Sequence, residues 1–126
     1  MVMADYDIQT DICPPKDLIF EFMELSATGK LLIKKGYTWD GATGFLIMPK
    51  CLLRGSLVHD TFYQLMRLGV LDSSTNRILA DRILKKICLE DGALKILSSL
   101  IYLGVRLLGK LLLYKESKEV VTYEVP

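Results

Sequence analysis

A chain of 126 residues is the length of one domain, long enough to bury a core without staples. A formal net charge of +1, with the basic residues dispersed, removes the electrostatic case for nucleic acid. Hydrophobic content is 51% and mean hydropathy +0.30, greasy for a soluble domain, and the excess sits in the last third. Cys13, Cys51 and Cys88 are odd in number and lack a Cys-x-x-Cys spacing. They argue against a disulfide framework or a Cys-rich zinc site and for small apolar residues in a reducing compartment. The acidic N-terminus holds no apolar run, so no secretory signal is expected. The expected location is cytoplasmic as synthesised, with virion association or release on lysis as the ways out.

The predicted class is α+β, as a single domain over 1–126. It divides into a β-rich part (1–36), a Gly-rich loop (37–48), a helical part (49–115) and a tail or strand (116–126). Tyr6, Ile8, Thr10 and Ile12 alternate with polar partners, and Pro14-Pro15 ends that strand because neither proline can donate to a ladder. The runs 18–25 and 31–35, joined by a turn at 27–30, predict a β-hairpin. The next stretch, Gly36-Tyr37-Thr38-Trp39-Asp40-Gly41-Ala42-Thr43-Gly44, is so rich in glycine that its backbone can take unusual angles. Its carbonyls, with Asp40 among them, could converge on a hard cation such as Ca²⁺. The same glycines would equally serve a surface loop in which Trp39 plugs the core.

Pro49 suits the first turn of a helix over about 50–68, on which Leu52, Leu53, Leu57, Phe62, Leu65 and Met66 recur at helical spacing. Gly69 is its cap. His59 and Tyr63, four apart, share a face, with Asp60 about 100° round. Ile78, Leu79, Ile83, Leu84 and Ile87 stripe a second helix over about 74–90, and Asp91-Gly92 breaks it. Asp81 lies close to the apolar stripe, where a carboxylate needs a partner. The third helix, about 93–115, carries Leu94, Ile96, Leu97, Leu100, Ile101, Leu103, Val105, Leu107, Leu108, Leu111 and Leu112. Lys95, Ser99, Tyr102, Arg106 and Lys110 form one narrow polar stripe on it. Internal charges argue against a transmembrane span, so a helix buried on most sides is expected. Docking on a membrane surface, or on a second copy through this helix, stays open. The alternation over 120–125 suits a final strand.

His59 is the only histidine in the chain. A neutral imidazole can take a proton from water near neutral pH, and a carboxylate on its far nitrogen would fix the tautomer and stabilise the imidazolium. Asp81 suits that role, with the Tyr63 hydroxyl holding Asp81. A calcium ion held by Asp60 and the loop carbonyls would polarise an ester carbonyl beside that water.

A Gly-rich loop, then His59-Asp60-x-x-Tyr63 on one helix, then Ala80-Asp81 on the next, resembles the phospholipase A2 superfamily, most closely its compact, disulfide-free viral branch. The resemblance covers roughly 36–90. It implies His59 as base, Asp81 as the orienting acid, Tyr63 as its hydrogen-bond partner and Asp60 as a calcium ligand. It also implies further calcium ligands from the loop around Tyr37, Trp39, Asp40 and Gly41. Asp40 has no counterpart in the secreted enzymes, which are also heavily cross-linked. The whole chain resembles short phage and prophage proteins of unassigned function, sharing Gly-Tyr-Thr-Trp-Asp-Gly-Ala-Thr, His-Asp-x-x-Tyr-Gln and Ala-Asp.

Two functions are therefore expected to compete. One is a calcium-dependent hydrolase acting on a phospholipid ester at a membrane surface. The other is a non-catalytic phage-type protein that binds a host or virion protein, with His59, Asp60, Tyr63 and Asp81 as a buried structural network. A His-Asp phosphohydrolase fits less well, because such sites use several histidines.

Overall fold

The structure is a computed structural model, and it describes residues 2–38 and 50–116, with the backbone alone at 50 and 112–116. Four strands come first, β1 (Tyr6–Gln9), β2 (Leu18–Ile19), β3 (Met23–Leu25) and β4 (Lys30–Ile33). Three helices follow, α1 (Lys50–Arg67), α2 (Ser73–Glu90) and α3 (Lys95–Glu116). The class is α+β.

The sheet is antiparallel with strand order β1-β4-β3-β2. Alternation decides its faces: Met23 and Leu25 lie opposite Ile33 and Leu31, and all four are buried. With Ile12 and Leu18 they form one hydrophobic cluster with Val58, Phe62 and Leu65 of α1 and Ile87 of α2. Gly29 carries the positive φ of the β3–β4 turn, and its amide bonds to the Ser26 carbonyl.

The run 18–25 is not one strand, as its composition suggests. The Phe20 amide donates to the Met23 carbonyl at 2.9 Å and folds the run into its own hairpin. Phe22 then lies against Gly36, half-buried at the edge of the core. A continuous strand would have put every second residue of this apolar run in water. The possible strand at 120–125 falls outside the described residues.

α1 and α2 are antiparallel, joined by a short turn in which Gly69 has a positive φ. Asp72 caps α2, accepting from the Ser74 amide and from the Ser74 and Thr75 hydroxyls. These donors hold its carboxyl below the ordinary range. The two helices approach tightly at Gly55, where a Cβ would stand 2.8 Å from Leu84 Cδ1 and 3.3 Å from Cys88 Sγ. Arg54 bonds to Asp91, Glu90 and the Tyr6 hydroxyl. It ties the start of α1 to the end of α2 and to the edge strand.

α3 departs most from expectation. Ile96, Leu100, Leu103, Leu107, Leu108 and Leu111 are each more than half exposed. Among the described side chains of this helix, the buried residues are Ser98 and Gly109. The reason is polar. The Ser98 hydroxyl bonds back to the Lys95 carbonyl, so it enters the interface already satisfied. Gly109 lets the Tyr63 hydroxyl and Arg77 of the other helices meet the α3 backbone. α3 thus buries Ser98 and Gly109 and leaves Ile96, Leu100, Leu103, Leu107, Leu108 and Leu111 outside.

The glycines of α3 separate these effects. A Cβ at Gly104 meets nothing within 4 Å, whereas one at Gly109 collides with Tyr63 and Arg77. Gly104→Ala is expected to raise unfolding stability by about 0.5–1 kcal/mol through helix propensity. Gly109→Ala is expected to lower it by about 1–3 kcal/mol through overpacking. Urea unfolding of the two variants beside the parent checks this, and equal effects would show that α3 is not seated at Gly109.

Candidate functional site: a buried carboxylate shared by three helices

α1 and α2 cross so that positions 59 and 63 face position 81. Asp81 has 0% exposure, and His59 and Tyr63 are buried with it. His59 Nε2 lies 2.6 Å from Asp81 Oδ1, and the Tyr63 hydroxyl donates to the same oxygen at 2.7 Å. The rings of His59 and Tyr63 pack at 4.2 Å between centroids, as their i, i+4 spacing requires. The other oxygen, Oδ2, accepts from Arg106 Nη1 of α3 at 2.9 Å, with Arg77 Nη1 at 3.6 Å. Arg77 also donates to the Val105 and Arg106 carbonyls, fastening α2 to α3.

Burial alone would favour a neutral acid at Asp81, but the donors from His59, Tyr63 and Arg106 outweigh it and hold the carboxyl below its ordinary range. Asp81 is therefore an ionised acceptor, so His59 Nε2 carries a proton and donates it. That fixes the tautomer: in the neutral ring, Nδ1 keeps the lone pair. Nδ1 lies 3.8 Å from Asp60 Oδ1, a Coulombic distance rather than a hydrogen bond. The Asp60 side chain is 30% exposed, the most open of this group. Burial works against an imidazolium here, but Asp60 and Asp81 prevail and raise His59 above its usual 6.5. Tyr63 is pushed up by burial and by Asp81, so its hydroxyl stays protonated as a donor.

His59, Tyr63 and Asp81 are thus brought together, with Asp60 beside them. Tyr37 is buried in the core, its carbonyl accepting from the Val2 amide at 2.8 Å, so one lone pair of that oxygen is already engaged. Trp39, Asp40 and Gly41 lie outside the described residues. Among the described residues there is no cluster of three His, Cys, Asp or Glu groups that could hold a metal ion. Asp60 supplies a hard, partly open oxygen next to the free imidazole nitrogen, which is chemistry that suits calcium.

Two members of the site escaped the sequence. Arg77 stands four residues before Asp81 on α2, a spacing that marks an ion pair and was there to be read. Arg106 could be found only by knowing how α3 packs, because its partner is 25 residues away. Comparison with protein-family models, with curated proteins and with solved structures finds no match.

The site makes stability depend on pH in both directions. The depressed Asp81 contributes above its unfolded value of 3.8, and this is lost as pH falls through the folded value. The raised His59 contributes fully below 6.5, and this is lost as pH rises through its folded value. Metal-free protein is expected to be most stable between those limits, with an NMR titration midpoint for His59 above 6.5. Asp81→Asn should bring that midpoint down and cost about 3–5 kcal/mol, because it strands buried cationic partners. A His59 midpoint unmoved by Asp81→Asn would show that the two do not share a proton-linked bond.

Proposed function

We propose that the protein hydrolyses a carboxylic ester of a phospholipid, with His59 as the general base. The observation that carries this reading is the polarity of the imidazole. Nε2 is tied to a buried, ionised Asp81 at 2.6 Å, which leaves Nδ1 as the proton-accepting nitrogen on the side of Asp60. The resemblance over 36–90 supplies the ester and lipid class.

In the proposed step, Nδ1 takes a proton from water as the water oxygen attacks the ester carbonyl. The imidazolium is stabilised by Asp81 through Nε2 and returns the proton to the leaving alcohol. Tyr63 and Arg106 hold the Asp81 carboxylate so that it cannot swing from the ring. Asp60, with the loop residues Tyr37, Trp39, Asp40 and Gly41, would hold calcium. When bound, calcium supplies positive charge to the carbonyl oxygen and offsets the Asp60 charge that otherwise raises His59.

Fatty-acid release from phospholipid vesicles tests this. Activity should require calcium, vanish in EDTA, and fall by at least about 10²-fold in His59→Ala. Asp60→Asn should act as calcium removal does. The rate should rise with pH as His59 loses its proton. Calcium-independent release, or release surviving both substitutions, would sink the proposal.

A second reading, a non-catalytic phage-type protein that binds a host or virion partner, draws on a different observation. Asp81 joins α1, α2 and α3 through His59, Tyr63, Arg77 and Arg106, which is a use for the cluster that needs no reaction. It predicts a stability loss in Asp81→Ala with no hydrolysis in the parent protein.

A further inference from the structure

The outer face of α3 is a feature that the proposed site does not use. Ile96, Leu100, Leu103, Leu107 and Leu111 fall within an arc of about 80° on a helix turning 100° per residue. That arc lies opposite the buried Ser98 and Gly109. Each of the five is more than half exposed. Continuous apolar faces of this kind mark docking sites.

Charge decides between the occupants. Lys95 and Lys110 are exposed along one edge of the leucine arc, the edge on which Tyr102 also lies. Beyond Tyr102 that edge continues into a groove of about 340 Å³ that also takes in Arg82, Lys85 and Lys86 of α2. Lys85 Nζ stands 5.5 Å from the centre of the Tyr102 ring. No acidic residue occurs between positions 93 and 115. Glu90 and Asp91, at the C-terminal end of α2, are already bonded to Arg54, and the buried Asp81 is bonded to Arg106. A second copy packed on this face would bring more lysines, with no acidic residue between positions 93 and 115 to answer them. A sheet of anionic head groups over an apolar layer answers both the leucines and the lysines.

We infer that α3 is a lipid-docking helix that lies in the surface of an anionic membrane, leucines inserted and Lys95, Lys110, Lys85, Lys86 and Arg82 on the head groups. No helix among the described residues is long and apolar enough to cross a membrane, and this docking needs none. The choice of lipid deepens the phospholipid reading above and rests on it, but binding is measured apart from hydrolysis.

The test is co-sedimentation of the full chain in EDTA with two kinds of vesicle, phosphatidylcholine alone and phosphatidylcholine mixed with phosphatidylglycerol. Binding to the mixed vesicles is expected to be at least about tenfold tighter and to weaken as salt rises. Leu103→Ser with Leu107→Ser should abolish it. Both side chains point outward, so circular dichroism should stay that of the parent. Lys95→Gln with Lys110→Gln should lose about tenfold or more on the anionic vesicles and nothing on the neutral ones. Equal binding to both vesicles, no binding, or unaltered binding by the variants overturns the inference. So does a dimer in sedimentation equilibrium that Leu107→Ser dissolves while the parent ignores vesicles, which would give the face to a second copy. Docking without hydrolysis removes the catalytic reading alone, and hydrolysis without docking removes this one alone.

Discussion

A carboxylate with no solvent contact must be protonated or surrounded by donors, and Asp81 is surrounded. His59 and Tyr63 take one oxygen, and Arg106 and Arg77 take or approach the other. The acceptor capacity of the group is spent on three helices at once. Removing an acceptor of this kind strands its donors, which costs more than the bonds themselves contribute. Position 81 therefore fixes the pairing of α1 with α2 and the seat of α3, and it fixes the tautomer of His59 as a by-product. Architecture and chemistry share one side chain.

The same dependence explains why α3 looks inverted. A helix normally buries its apolar stripe. Here the interface with α1 and α2 must carry the charges that Asp81 requires, so Arg106 and small residues such as Ser98 and Gly109 face inward. Leu100, Leu103, Leu107 and Leu111 are left over. Tyr63 adds to the constraint, since its hydroxyl occupies the space a side chain at 109 would need.

The sequence made the helices legible to within two residues at each end, because the apolar spacing on α1 and α2 is regular and Gly69 and Gly92 punctuate it. The meeting of His59, Tyr63 and Asp81 was legible too. An i, i+4 pair on one helix and a carboxylate near the stripe of the next leave few ways to satisfy the acid. Two features could not be read. The run 18–25 folds back on itself because of a turn whose residues, Glu21 and Phe22, carry no glycine or proline signal. The face that α3 buries was misjudged because hydropathy ranks leucine above arginine at every buried position, and a single ion pair with Asp81 reversed that order.

The seating of α3 also bears on how the molecule opens. Over its described side chains α3 is held by Arg106, Ser98 and Gly109 with the half-buried Leu97, Ile101 and Val105, while Ile96, Leu100, Leu103, Leu107 and Leu111 are already wet, so it exposes little new apolar surface of its own when it leaves. The hydrophobic term that keeps most helices down is therefore small for α3, and its local opening is less costly than that of the α1–α2 hairpin, whose Phe62, Leu65 and Ile87 are in the main core. Opening would strip Arg106 from Asp81 while His59 and Tyr63 stay in place. Amide exchange along the chain should then show two cooperative units, with the boundary running through the carboxylate that joins them.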